Sequence, residues 1–90
     1  MPTIRIPNPL RSYVRGQTEV PVQGATAGMA LEDMLTQYPA FRPQLCKADG
    51  SLRAFVNLFL NGQNIRDLRG LDTPLGPGDI LNLVPSIAGG

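Results

Sequence analysis

Histidine and tryptophan are absent from this 90-residue chain, and cysteine occurs once. Charges of the two signs nearly cancel, with eight Lys+Arg against seven Asp+Glu. Each shortage excludes a class of chemistry. Without histidine there is no Ser-His or Cys-His relay and no imidazole metal site. One cysteine cannot build a disulfide framework, a thiolate zinc site or an iron–sulfur cluster. A formal net charge of +1 lays down no electrostatic footprint for nucleic acid. No apolar run approaches the roughly 20 residues that span a bilayer. The first ten residues, broken by Pro2, Arg5, Pro7 and Pro9, do not resemble a secretory signal. The expectation is a cytoplasmic protein that binds neither nucleic acid nor membrane; an unpaired Cys46 suits a reducing compartment.

What is present reads as one globular domain. Hydrophobic residues make up 42% of the chain and charged residues 17%, a balance that buries a core rather than staying disordered. At this length a second core cannot be filled. Thr3-Ile4-Arg5-Ile6 alternates and stops at Pro7, so it predicts a first strand. Residues 13–17 read as a turn and 18–22 as a second strand, with Pro21 tolerable only at an edge or bulge. Thr26 is a candidate N-cap for a helix over 27–38, whose Ala27, Leu31, Met34, Leu35 and Tyr38 form one apolar stripe before Pro39 ends it. Phe41 and Leu45 are expected to fold back onto the same core. The strongest strand runs over 52–60, and Asn61-Gly62 after it signals a hairpin to a short strand at 63–65. Turns at 72–75 and 76–79 lead to a last strand over 80–84, stopped by Pro85.

Hairpin, helix, then two or three strands predict an α+β fold of the β-grasp (ubiquitin-like) kind. It is a small mixed sheet with one main helix packed on one face, and with the first and last strands central and parallel. The domain would occupy residues 1–85, followed by a flexible tail over 86–90 that ends in Gly-Gly. Two glycines side by side lose much conformational entropy on ordering and pack nothing. As a strip without side chains they can enter a slot too narrow for any Cβ and deliver a carboxylate to another protein's active site.

These residues resemble a known family, the ubiquitin-like sulfur carriers of the ThiS/MoaD type, nearest to the CysO branch that serves cysteine biosynthesis. The resemblance lies in Ile6-Pro7-Asn8-Pro9-Leu10-Arg11, in Phe55-Val56-Asn57-Leu58-Phe59-Leu60-Asn61, in Gly78-Asp79-Ile80, and most specifically in Pro85-Ser86-Ile87-Ala88-Gly89-Gly90. It implies that an E1-like adenylyltransferase/sulfurtransferase consumes ATP to adenylate the Gly90 carboxylate, and that sulfur then displaces AMP to leave a thiocarboxylate. Gly89 and Ala88 would thread the partner's slot. The carrier would have no catalytic residue and no cofactor of its own. A pyridoxal-phosphate-dependent cysteine synthase would take the sulfur, and a metal-dependent peptidase would release the product. The runner-up is the small subunit of molybdopterin synthase, paired with the large subunit, or a thiamin sulfur carrier. A monomer that docks transiently is expected.

Partner docking needs a surface, and strand alternation supplies a candidate. Asn57 and Asn82 mark the polar parity, so Phe59 and Val84 would share the side away from the helix. Together with Pro85 and Ile87 they would form an apolar patch running into the tail. The competing reading places Phe59 under the 68–75 loop. Cys46, beside Phe41 and Leu45 in the sequence, reads as a buried thiol with nothing to activate it. Asp67, Asp72 and Asp79 sit at turns and read as turn residues rather than metal ligands. Glu32 and Asp33 read as complements to the helix dipole, and Arg66 and Arg69 as residues that could meet an acidic partner. Two other classes stand against the carrier. One is a protein modifier conjugated through Gly90, for which the single lysine, Lys47, argues against mixed-linkage chains and Ala88 against a ubiquitin-type activating enzyme. The other is a nucleic-acid-binding or scaffolding module, which has no use for a Gly-Gly end.

Overall fold

A computed structural model describes residues 1–85. Its five strands are β1 (Thr3–Arg5), β2 (Glu19–Pro21), β3 (Val56–Leu60), β4 (Gln63–Asn64) and β5 (Ile80–Pro85). They form one sheet in the order β2-β1-β5-β3-β4. β1 and β5 run parallel in the middle, with Ile4 beside Leu81, and the other pairings are antiparallel. The main helix, α1 (Ala27–Gln37), contributes Ala27, Ala30, Leu31, Met34 and Leu35 to the buried cluster that also holds Ile4, Val56, Leu58, Leu81 and Leu83. This is the β-grasp arrangement that the pattern predicts. Pro21 lies on the edge strand, where its missing N–H leaves no ladder bond unmade.

Local chemistry sets the ends of α1. Thr26 is extended, and its Oγ1 accepts a hydrogen bond from the Met29 N–H at 3.2 Å. At the other end Tyr38 leaves the helical region ahead of Pro39. Gly24 packs so close to the first turns that a Cβ there would lie 2.5 Å from the Ala30 backbone nitrogen. Only glycine fits that approach. A second short helix, α2 (Arg42–Leu45), follows a 3-10 turn over Pro39–Phe41, and both Phe41 and Leu45 are fully buried.

Three features depart from the sequence reading. The segment Asn8–Val14 is a 3-10 helix, because Pro9 near its start holds φ near −65° and suits a first helical turn. β3 begins at Val56 rather than at Leu52 or Ala54. Leu52 pairs only as an isolated bridge with Cys46, and a turn closed by Val56 N–H to the Arg53 carbonyl intervenes. Glu32 and Asp33 lie beyond the first turn of α1, so the helix dipole does not explain them. Instead Glu32 accepts a forked pair of hydrogen bonds from Arg42, at 2.6 and 3.0 Å, tying α1 to α2. Asp33 Oδ2 accepts from the Gln23 N–H and the Gln37 amide.

Candidate functional site at the end of the last strand

β5 carries the chain to Pro85, so the site is built around that end of the sheet. The β3–β5 register pairs Val56 with Pro85, Asn57 with Val84, Leu58 with Leu83, Phe59 with Asn82 and Leu60 with Leu81. Alternation then sorts the two faces. Val56, Leu58, Leu60, Leu81 and Leu83 are buried on the helix side. Asn57, Phe59 and Asn82 are half-buried on the opposite side, where Val84 is 41% exposed. Phe59 and Val84 are diagonal neighbours across the two strands, about 7–8 Å apart by sheet geometry. Pro85 is half-buried at the exit. Ile87, Ala88, Gly89 and Gly90 lie outside the described residues.

One apolar residue at this exit is missing from the sequence-predicted patch. Phe55 precedes the first residue of β3, whose partner is Pro85, and it is 43% exposed. The sequence reading includes it in the 52–60 strand and assigns it to neither face. Its odd-numbered parity with Asn57 and Phe59 is the signal that could have found it.

The turn carrying Phe55 is held by Arg66. One guanidinium nitrogen, Nη1, donates to the Ala54 carbonyl at 3.1 Å and to Asn57 Oδ1 at 2.8 Å, while Nη2 donates to the Arg53 carbonyl at 3.0 Å. Asn57 Oδ1 also accepts from Asn64 Nδ2 at 3.1 Å. Arg66 is thus engaged within the domain while the residue stays exposed. Cations do flank the exit on the other side, where a groove of about 370 Å³ is lined by Arg5, Arg11, Glu19, Asn82 and Val84 among others. Arg5 pairs with Glu19 at 2.8 Å, and Arg11 Nε donates to the Ile6 carbonyl at 3.0 Å. The groove walls therefore carry one net positive charge.

Cys46 is only 5% exposed and packs in the core cluster. Burial pushes its thiol up from the ordinary range, against the pull of the Arg42 guanidinium. A thiol kept protonated is a poor nucleophile. Alkylation of Cys46 by iodoacetamide at pH 8 is accordingly expected to be at least about tenfold slower in the folded protein than in urea. Mass spectrometry of quenched time points reads this directly, and equal rates would show an accessible thiolate. No group of three or more acidic or cysteine side chains suited to a metal occurs among the described residues. Asp79 accepts from the Gly76 N–H at 2.7 Å, as a turn residue does. No helix among the described residues is long and apolar enough to cross a membrane.

Comparison with known proteins places this arrangement. The ThiS family model matches residues 4–90. The sulfur carrier protein CysO of Mycobacterium tuberculosis is 33% identical over 90 residues, covering 98% of this chain and 97% of that protein. Among solved structures, the Amycolatopsis orientalis BexX/CysO complex includes a chain that superposes with a TM-score of 0.89 at 30% identity, covering 100% of both chains. The small archaeal modifier protein 1 of Methanosarcina acetivorans superposes with a TM-score of 0.86 at 28% identity, covering 99% of this chain and 95% of that one. A β-grasp sheet, a last strand leading into a Gly-Gly end and a match over nearly the whole length agree with one another: the chain belongs to the ThiS family of ubiquitin-like sulfur carriers.

Proposed function

We propose that this protein carries sulfur as a thiocarboxylate on Gly90 and delivers it for cysteine formation. The observation that carries the reading is the family match running through Gly90, on a chain whose last strand, central in the sheet, ends five residues earlier beside the exposed Val84. A carboxylate is a poor electrophile, so a partner enzyme first joins Gly90 to the AMP of ATP and releases pyrophosphate. Sulfide then displaces AMP and leaves the thiocarboxylate. Its sulfur is a polarizable nucleophile that the carrier hands to a cysteine-forming enzyme. The domain supplies none of the reacting groups; it presents the tail and a docking surface around Val84. The likeness to CysO proteins, one of them solved in a complex, supports both the destination and the need for a protein partner.

Intact mass spectrometry tests this after incubation with ATP, sulfide and an activating enzyme from the same organism. The expected result is a gain equal to one oxygen replaced by one sulfur. No gain, with the enzyme shown to be active on another carrier, would overturn the carrier reading. A second reading, conjugation of Gly90 to protein amines, is favoured by the likeness to the archaeal modifier protein. In that case isopeptide-linked adducts would appear in a lysate supplied with ATP. Links between copies of this chain would form at Lys47, its single lysine, or at the N-terminal amine.

A further inference from the structure

Any enzyme that grips Gly90 works within reach of the surface around Pro85. Five residue steps lead from Pro85 to Gly90, and five extended residues span at most about 18 Å. A partner that holds Gly90 is therefore brought close to the exit of β5. Phe55 stands there, 43% exposed and next to the residue that pairs with Pro85. Its backbone belongs to a turn rather than to the strand ladder.

An exposed aromatic on an unsupported turn would lose affinity to its own disorder, since each side chain and loop ordered on docking costs free energy. This turn is supported. The three donor contacts of Arg66 satisfy the carbonyls of Arg53 and Ala54, on the N-terminal side of Phe55, and the side chain of Asn57, two residues beyond it. Arg66 is itself fixed, because its N–H donates to Asn64 Oδ1 at 3.0 Å where β4 passes into a 3-10 turn. Neither of the two ion pairs among the described residues involves Arg66. The planar fork of a guanidinium suits this position; an ammonium cannot span the same acceptors in one plane.

We propose that Arg66 is a positioning residue that holds Phe55 at the tail exit as an apolar anchor for the activating enzyme. The proposal rests on the carrier reading above and deepens it. Arg66 touches no reacting atom and acts through Phe55. Aromatic anchors at the centre of an interface often account for tenfold or more in affinity, while their neighbours mainly exclude water.

Steady-state loading kinetics with the activating enzyme, at varied concentrations of the full-length carrier, test it. Phe55→Ala is expected to raise KM about tenfold with kcat unchanged, because an exposed ring contributes to docking and not to chemistry. Arg66→Lys keeps the charge and is expected to raise KM several-fold. The double variant is expected to match Phe55→Ala alone, since nothing remains for Arg66 to position. Phe55→Leu, which keeps an apolar side chain, is expected to recover most of the loss. Effects that add in the double variant would mean that Arg66 meets the enzyme directly, and would overturn the proposal. So would an unchanged KM for either single variant while the wild-type protein loads normally, and that outcome would leave the carrier reading intact. Failure of the wild-type protein to load would instead overturn the carrier reading and this proposal with it.

Discussion

Phe41→Ala is expected to remove about 3–5 kcal/mol of folding stability, enough to bring the domain close to unfolding at room temperature. Phe41 is fully buried and stacks on Tyr13 with ring centroids 5.2 Å apart and planes 3° from parallel. It therefore joins the 3-10 segment Asn8–Val14 to the turn after α1. The hydrogen bond from the Gln17 amide to the Tyr38 hydroxyl ties the same two regions from outside. Truncation leaves a cavity that neither segment can collapse into without giving up those contacts, and Tyr13 loses the face it packs on. Urea unfolding followed by circular dichroism measures the change. A domain of this size shifts its melting temperature by roughly 4–8 °C for each kcal/mol, so a thermal melt will register it as well. Phe41→Leu keeps most of the volume and is expected to lose less. A loss under about 1.5 kcal/mol for Phe41→Ala, with an unchanged denaturant slope, would mean that the core closes over the site.

The contrast between Phe41 and Phe55 shows what kind of information the sequence held. Phe41 follows an amphipathic helix and a proline, so the chain must turn back, and the apolar residues there had only one core to meet. Their burial was legible. The order of strands was legible for a similar reason: a hairpin, one helix and a final strand leave few right-handed ways to cover both apolar faces. Phe55 was read as a strand residue because it continues an apolar run, and runs of that kind carry no mark of where pairing starts. The turn closed by the Val56 N–H on the Arg53 carbonyl sets the start of β3, and a nonlocal contact supports it. Arg66, from beyond β4, takes the carbonyls of Arg53 and Ala54 that a longer strand would have offered to its neighbour. The 3-10 helix at Asn8–Val14 was missed because Pro7 before it and Pro9 within it mark breaks as readily as they start a helical turn. The sidedness of Asn57, Phe59, Asn82 and Val84 followed from period-two alternation and agrees with the register of β3 and β5. The role of that face belongs to its partners.

Removing Gly89 and Gly90 is expected to abolish loading and to turn the protein into a competitive inhibitor of its own activation. The two effects come from different parts of the molecule. Truncation ends the chain at Ala88, moving the terminal carboxylate back by two residues, about 7 Å of extended chain, and placing a methyl group where the slot would receive a glycine. Misplacement of a reacting group by about 1 Å can already lower a rate about 100-fold, so the loaded product should fall below detection. Folding is expected to be kept, because the sheet and core of the described residues are built without Gly89 and Gly90. Docking is largely kept, because Phe55, Phe59, Val84 and the Arg66-supported turn are all present. The truncated chain should therefore raise the apparent KM of the intact carrier without lowering kcat, with an inhibition constant within about tenfold of that KM, the margin allowing for a lost tail contact of about 1 kcal/mol. Measured loading of the truncated chain would remove Gly90 from the chemistry. Absence of inhibition at a large excess would assign recognition to the tail alone, and the exposed residues around Pro85 would then be the rim of the domain rather than its interface.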